Sequence, residues 1–155
     1  MHTKLFSILI VLSIAFSSFT TGETPERFGK DFFKLLKASP STSETQIKQK
    51  FISLKDLKTF PKNEISEFSP EEFDEFVAYN ISELQENAKG YKIAWNEIQY
   101  LKTESKAESD YGIDLKVVYL YFKHNAHTFK LQLVTIPHDN KLKLIRIMYL
   151  DFVAE

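Results

Sequence analysis

The chain has 155 residues, of which 43% are hydrophobic and 26% charged, and its formal net charge at pH 7 is −1. Acidic and basic residues are interspersed, without the excess of positive charge that the phosphates of a nucleic acid attract, so no nucleic-acid partner is expected. The absence of cysteine excludes disulfides, thiol chemistry and cysteine metal sites. No cofactor-binding motif is present, and the chain is predicted to bind no cofactor.

The first residues have the layout of a secretory signal peptide, predicted to span 1–22. Lys4 gives a positive start, an apolar run occupies 5–16, and mostly small, polar residues follow. An apolar run this short is typical of a signal peptide rather than of a transmembrane helix, although an uncleaved anchor is the alternative. The small residues Thr20 and Gly22 predict cleavage after Gly22. The mature chain is then periplasmic or secreted, with no membrane association.

The remainder, 23–155, is about 130 residues long, which suits a single domain with one core. Apolar residues at helical spacing predict three helices, at about 25–38, 44–59 and 70–89. Pro25 and Pro70 stand at first helical positions, and Ser43 has a glutamine three residues later, as in a capping box.

An Asn-Ile-Ser sequence at 80–82 matches the acceptor pattern for N-glycosylation. Such acceptors normally lie in exposed loops, whereas Asn80 falls within the apolar stripe of the third predicted helix. Asn80 is therefore interpreted as a helix residue rather than a glycan site.

From Ile93 onward the apolar residues alternate, which is typical of β-strands. The predicted strands are about 92–103, 112–124, 127–137 and 141–152. Two-residue turns at 125–126 and 139–140 are expected to join the last three strands as hairpins. The connection at 103–111 is polar, and it is too long to fix the register of the first strand.

The two hairpin turns predict the strand register. The first gives the pairs Phe122 with Phe129, Leu120 with Leu131, and Val118 with Leu133. The second gives the pairs Leu133 with Arg146, Leu131 with Met148, and Phe129 with Leu150. Both registers gather apolar residues on one face, and their agreement supports the assignment because a slip by one residue would expose that set. The best fit of the first strand adds Ile93, Trp95 and Glu97 to the same face.

Together these elements predict an α+β domain, with three N-terminal helices packed on one face of a four-stranded antiparallel meander. The order of elements resembles the NTF2-like and cystatin-like superfamily, in which helices precede long, curved antiparallel strands. The resemblance covers the whole mature chain by element order and has no sequence motif. It implies a sheet curved around a cavity.

Arg146 is the exception in an otherwise apolar row of the last strand. It is a candidate anchor for an anionic ligand group in a cavity, because a guanidinium offers a fork of donors. Alternatively, it extends past the edge of the helices into solvent or pairs with a helix carboxylate such as Glu86. Glu97 shares its face and could act as a base. With Tyr100, these residues form the candidate ligand site, or the site of a small cavity enzyme.

The opposite face of the sheet is the candidate interaction surface. Its members are Tyr119, Tyr121, Lys130, Gln132, Ile147 and Tyr149. Amphipathic aromatics of this kind suit a homodimer or a polypeptide partner, while an ordinary exposed sheet face is the alternative. The outer edge of the last strand is a further place where a partner strand could add.

His124 and His127 flank a predicted turn and would be cross-strand neighbours. Two imidazoles are an incomplete metal site, because established zinc sites use three or four protein ligands. The sequence therefore predicts a solvated pair of turn residues and no metal.

No catalytic signature is present: there is no nucleophile elbow, phosphate loop or HExxH motif. The predicted function is accordingly an exported, non-enzymatic binding or protein-interaction domain for a ligand or partner that the residues do not identify. One alternative is a cavity enzyme, an isomerase, hydratase or hydrolase, that uses Glu97, Tyr100 and Arg146. The other is a structural component of the cell envelope.

Overall fold

The structure, a computed structural model, describes residues 22–38, 40–110 and 112–153. Apart from Gly22, the predicted signal peptide lies outside the described residues. Within them the chain has an α+β fold, with helices packed against a four-stranded antiparallel sheet of order β1-β2-β3-β4. This part of the predicted architecture is confirmed.

The elements follow one another in the order expected, helices first and strands last. The helices are α1 (Pro25–Lys37), α2 (Pro40–Lys48), α3 (Leu54–Leu57) and α4 (Pro70–Gly90), with 3-10 turns at Ile65–Glu67 and Trp95–Glu97. The strands are β1 (Gln99–Asp110), β2 (Ile113–His124), β3 (His127–His138) and β4 (Lys141–Val153). None of these helices is both long and apolar enough to cross a membrane.

The two long helices begin where their capping residues predict. The side chain of Thr24 accepts a hydrogen bond from the backbone N–H of Arg27 at 3.2 Å, directly before α1. Ser69 and Glu72 form a reciprocal capping box at the start of α4, with Pro70 at the first helical position. Because these caps satisfy the first N–H groups of each helix, the starting points are fixed locally.

The predicted helix at 44–59 is wrong, since α2 ends at Lys48 and α3 begins only at Leu54. Between them the chain runs alongside β4. The N–H of Ile52 donates to the carbonyl of Leu144 at 2.9 Å, and the N–H of Leu144 donates to the carbonyl of Lys50 at 2.8 Å. Apolar spacing could not reveal this break, because the backbone exchanges helical hydrogen bonds for bonds to a strand that comes much later in the sequence.

The first strand is also displaced from its predicted position, running over Gln99–Asp110 instead of 92–103. Tyr100 pairs with Phe122 and Thr103 with Leu120, so Ile93, Trp95 and Glu97 do not lie in the sheet. The polar segment predicted as a connection is strand. It needs no apolar alternation, because its backbone pairs with β2 while nearly all its side chains from Glu104 onward are exposed.

The hairpin between β2 and β3 is confirmed, including the pairs of Phe122 with Phe129 and Leu120 with Leu131. The next hairpin also begins as predicted, with His138 opposite Lys141. Asn125, Asp139 and Asn140 have positive φ angles of 54°, 49° and 59°, as two-residue hairpin turns require.

Beyond Leu144, however, the predicted pairs of β4 are wrong. Thr135 pairs with Leu144 but Val134 with Arg146, which leaves Ile145 as an extra residue. Leu133 pairs with Ile147 but Leu131 with Leu150, which leaves Met148 and Tyr149 together opposite Gln132. β4 therefore contains two bulges, each of which inserts one residue and reverses the alternation of side chains.

Because there are two bulges, residues at both ends of β4 lie on the predicted face of the sheet, while residues between the bulges lie on the opposite face from the one predicted. We call the side of the sheet with Val118, Leu120 and Phe122 the first face, and the side with Val117, Tyr119 and Tyr121 the second face. The residues of β4 that stay on the first face as predicted are Leu142, Leu144, Leu150 and Phe152. Ile147 joins the first face, opposite Leu133, whereas Arg146 and Met148 lie on the second face.

The main core lies between the first face and the helices. α1 packs against β1 and β2, α4 packs against β4, and α2 contacts both α1 and α4. Phe32, Phe122 and Leu131 are fully buried here. α3 and the segment after it instead reach the second face, where Leu57 and Ile65 line a groove. The expectation that all the helices pack on one face is therefore wrong for α3.

Candidate functional site

The position of Arg146 depends on how α4 holds the neighbouring residue of β4. The side-chain oxygen of Asn80 accepts a hydrogen bond from the backbone N–H of Ile147 at 2.8 Å, and its amide nitrogen donates to the carbonyl of Phe76 at 2.8 Å. Asn80 is only 3% exposed. Asn80 thus has a structural role. The sequence signal for this role was a polar side chain within the apolar stripe of a helix, because a polar group that becomes buried needs a hydrogen-bond partner.

The outer edge of β4, which the sequence offers to a partner strand, is already occupied along much of its length. Glu23 accepts the N–H of Leu142 through its side chain and donates its own N–H to the carbonyl of Asn140. Leu144 is bonded to the chain between α2 and α3, and Ile147 to Asn80. The prediction of a free edge at β4 is therefore wrong up to Ile147.

A groove of about 450 Å³ crosses the second face. Its apolar lining comes from α3, from the 3-10 turn after it and from strands β2, β3 and β4: Leu57, Ile65, Ile113, Leu115, Val117, Val134, Ile145 and Met148. Its polar lining consists of Asn63, Glu64, Glu108, Ser109, Asp110, Gln132 and Arg146. Apolar and polar residues contribute about equally to the lining, so the groove offers a ligand both apolar contact and hydrogen-bonding groups.

Arg146 lies at the β4 side of this groove, with an exposed side chain. Its guanidinium carbon is 5.6 Å from the centroid of the Phe76 ring, a cation–π contact that holds the head group beside α4. Among the described residues, no carboxylate lies within 4.0 Å of it, and Glu86 approaches Lys89 instead. The guanidinium of Arg146 is therefore in contact with an aromatic ring and, within the part of the chain that the structure describes, not with a protein anion.

The remaining charge of the groove is negative. Glu64 lies on the segment that follows α3, and Glu108 and Asp110 lie at the end of β1. Lys106 forms an ion pair with Glu108 at 3.1 Å, which partly neutralises that side. The groove thus has one cationic group on its β4 side and carboxylates on its other walls, so it suits a ligand that carries both signs of charge more than a simple anion.

The tyrosines predicted as an interaction surface adjoin the groove. Tyr119 pairs with Gln132, which itself lines the groove, and Tyr121 pairs with Lys130. The Lys130 ammonium lies 5.9 Å from the centroid of Tyr119, and Tyr149 is 57% exposed. Ile147 is not part of this surface, because the first bulge turns it into the core, where it is 5% exposed.

Two predictions that referred to opposite faces therefore meet on one face. The sequence places Arg146 on the helix-covered face and the tyrosines on the other, and the bulge at Ile145 brings Arg146 to the tyrosine side. We call the groove together with Tyr119, Tyr121, Lys130 and Tyr149 the second-face surface.

A small polar cluster fixes one tyrosine of the second-face surface. Lys102 lies 4.8 Å from the ring centroid of Tyr121 and 2.6 Å from the carboxylate of Glu104. Burial, together with the neighbouring Glu104 carboxylate, raises the pKa of the Tyr121 phenol. The hydrogen bond from Lys102 is the main reason that the pKa of the Glu104 carboxyl group is lowered, and the neighbouring Tyr121 phenol adds to this effect. An ion pair and a cation–π contact therefore help to hold the side chains of Lys102, Glu104 and Tyr121 in place, in addition to packing.

The other two residues of the predicted ligand site lie elsewhere. The side chain of Glu97 is 62% exposed and is 3.7 Å from His124. The hydroxyl of Tyr100 shares a hydrogen bond of 3.0 Å with Thr103, and its ring packs edge-on against Phe33. Tyr100 is on the first face and Arg146 on the second, so the structure does not bring Glu97, Tyr100 and Arg146 into one site.

The histidine pair is confirmed as a cross-strand pair, and its predicted solvated environment is wrong only for His124. His124 is 5% exposed, and its Nε2 accepts a hydrogen bond from the N–H of Ala94 at 3.2 Å. His127 is exposed. In the described part of the chain, no group of three or more histidine, aspartate and glutamate side chains is arranged to hold a metal ion.

Comparisons of the chain with protein-family models, with curated proteins and with solved structures found no match. What supports a function is therefore the geometry of the second face.

Proposed function

We propose that the chain is an exported, non-enzymatic binding module whose ligand lies on the second-face surface. The observation that carries this proposal is the bulge at Ile145, which places the guanidinium of Arg146 beside a groove of mixed apolar and polar lining. No carboxylate of the described residues lies within ion-pair distance of that guanidinium. A positioned cation at the side of such a groove is suited to orient a ligand whose apolar part contacts the apolar lining.

The surroundings of the groove favour a polypeptide segment as the ligand. A volume of about 450 Å³ accommodates one or two large side chains, and it lies within the range of ordinary ligand pockets. The adjoining Tyr119 and Tyr149 offer aromatic contact area, and Gln132 offers both a donor and an acceptor to a peptide backbone. An acidic group of the segment would bind Arg146, and a basic group would face Glu108 and Asp110.

The fold proposal remains the resemblance to the NTF2-like and cystatin-like superfamily. Its support is the order of helices before a long antiparallel meander. Fully buried core residues fill the first face, so the ligand cavity that we propose is on the other side of the sheet. The cavity-enzyme alternative has less support, because Glu97, Tyr100 and Arg146 do not share a site.

Selection of peptides from a random displayed library, with the purified protein as bait, tests this function. We expect enriched peptides to share large apolar residues and an acidic residue. Arg146→Glu should weaken them by about tenfold or more, since a charge-assisted hydrogen bond contributes about 1.5–3 kcal/mol. The matched control is Arg27→Glu, which changes the other arginine of the chain, exposed on α1. Failure to enrich any peptide, or equal effects of both variants, would contradict the proposal.

A further inference from the structure

The two outer edges of the sheet differ in how much of their backbone is satisfied. The edge of β4 is bonded to Glu23, to the chain between α2 and α3, and to Asn80. In contrast, no backbone hydrogen bond among the described residues reaches β1 other than those from β2. β1 is twelve residues long, and it is exposed over most of its length. An open edge of this kind is a template for another strand.

The charges of β1 follow a pattern that is complementary to itself. Side chains of alternating sign project from its second face: Lys102, Glu104, Lys106 and Glu108. When two copies of this strand run antiparallel with Ser105 opposite Ser105, Lys102 of one copy lies opposite Glu108 of the other. Glu104 likewise lies opposite Lys106. All four charged positions of each copy then meet an opposite charge, and such cross-strand pairs stabilise a sheet.

Neighbouring registers lack this property. A shift of the partner strand by two residues sets Glu104 against Glu104 or Lys106 against Lys106, and like charges directly opposite each other are destabilising. The sequence thus specifies one register as well as one orientation. Proteins also place lysines on edge strands to block pairing with another strand. Lysines placed only for that purpose would not favour one particular register about a twofold axis.

We propose that β1 pairs with β1 of a second copy of this chain about a twofold axis at Ser105, which joins the two four-stranded sheets into one continuous antiparallel sheet. The occupant of the edge is a second copy because the charge complementarity is to β1 itself. This dimer differs from one formed through the tyrosine face, which it leaves open to ligand.

The first face of β1 has room for this arrangement. α1 covers the Thr103 end of β1, where Gly29 lies against the Thr103 side chain. Toward its other end the first-face side chains are small and exposed, at Ser105, Ala107 and Ser109. In the proposed register Thr103 lies opposite the partner copy's small residue at 107, so each α1 lies next to small side chains rather than bulky ones.

The pairing also brings the two proposed ligand grooves together. Glu108 and Asp110 line the groove at its β1 side. The paired strand would place the ammonium of its own Lys102 next to this Glu108, so that the second copy contributes a cation to the rim. The inference about the dimer does not depend on what the groove binds.

Charge reversal tests the register. In sedimentation equilibrium, the unaltered protein should behave as a dimer, whereas Glu104→Lys alone and Lys106→Glu alone should each lose the dimer. Mixed in equal amounts, the two variants should recover the dimer mass. The Glu104→Lys variant has lysine at both 104 and 106, the Lys106→Glu variant has glutamate at both, and each lysine therefore lies opposite a glutamate. Circular dichroism of each variant checks that it is folded. A strictly monomeric unaltered protein, or variants that dimerise alone as well as mixed, would overturn the proposal.

Cysteine substitution gives a second test that does not depend on charge. The chain has no cysteine, so each variant carries a single thiol. Opposed residues of antiparallel strands have Cα atoms about 4.5–5.5 Å apart, within the range of a disulfide. Under mild oxidation Ser105→Cys should therefore form a disulfide-linked dimer, while Ala107→Cys and Ser109→Cys should form little disulfide cross-link. Equal cross-linking of all three variants, or none at Ser105→Cys, would overturn the register.

Discussion

The side-chain oxygen of Asn80 in α4 accepts the backbone N–H of Ile147 in β4 at 2.8 Å, and it does so between the two bulges of that strand. The amide nitrogen of the same side chain donates to the carbonyl of Phe76, whose ring lies beside Arg146. One buried side chain therefore ties the helix, the strand and the position of the arginine together.

Loss of the Asn80 side chain should destabilise the fold. Asn80→Ala leaves the buried N–H of Ile147 without a partner, which costs about 1–3 kcal/mol. Urea unfolding monitored by circular dichroism measures the change in the free energy of unfolding. Asn87→Ala, at an exposed position of the same helix, is the control. It should lower the free energy of unfolding by less than about 0.5 kcal/mol. Equal effects of the two substitutions would show that the bond to Ile147 contributes nothing.

Gly29 should be intolerant of a side chain, because α1 approaches β1 closely there. A Cβ atom at this position would lie 2.7 Å from Cγ2 of Thr103 and would also clash with its hydroxyl. We expect Gly29→Ala to cost about 1–3 kcal/mol, as overpacking does. Thr103→Ala, combined with it, should recover part of the loss. Gly90→Ala has open space around the new methyl group and should not destabilise the protein in the same thermal melts. An unchanged melting temperature for Gly29→Ala would contradict the close approach.

The two histidines of the turn should differ in importance. His124→Ala removes a buried ring and the acceptor of the Ala94 N–H, and we expect it to cost about 1–3 kcal/mol. His127 is exposed and touches Phe152 edge-on, so His127→Ala should cost less than about 1 kcal/mol. Chemical unfolding of both variants gives the comparison, and a larger loss at His127 would refute the assigned environments.

The cluster around Tyr121 predicts a dependence on alkaline pH. Its folded-state pKa is raised, so the protonated phenol stabilises the fold fully below the unfolded pKa of about 10, and this contribution is lost as the pH rises through the folded value. Glu104→Gln should lower the pKa of Tyr121 only in part, because burial is the larger cause. NMR titration of ring-labelled tyrosines measures this.

A matched change at another tyrosine is the control for that titration. The hydroxyl of Tyr79 donates to Glu83 at 2.6 Å, and this hydrogen bond is the main reason that its pKa is raised. Glu83→Gln should therefore shift Tyr79 and leave Tyr121 unchanged. If Glu104→Gln failed to move the pKa of Tyr121, the Glu104 carboxylate would not act on this phenol in solution.

Much of the fold could be predicted because local signals agree with the tertiary structure. Caps at Thr24 and Ser69 define the two long helices, and the turn at 125–126 fixes the register of its hairpin. Helix α2 ends early for a reason outside its own sequence, since the chain after it bonds to Leu144 of β4. Strand β1 is polar because it is an exposed edge, and so it gave no alternation to detect.

The candidate site was harder to predict because alternation cannot detect a bulge. Extended from the turn at 139–140, a strict period of two places Arg146 among leucines. Its presence in an apolar row was itself the signal of an inserted residue, but the sequence offers no glycine to mark where the insertion lies. Two bulges that cancel leave Leu142 and Leu150 correctly placed and hide the exchange between them.

The reactivity of a thiol introduced at 146 or 147 tests the placement of Arg146 most directly. The chain has no cysteine, so Arg146→Cys and Ile147→Cys each present a single thiol to a colorimetric disulfide reagent. The structure predicts rapid reaction for Arg146→Cys, on the open second face, and strong protection for Ile147→Cys, which replaces a residue 5% exposed in the core. Protection at 146 with rapid reaction at 147, in folded variants, would mean that β4 has no bulge at Ile145 and would remove the proposed binding surface.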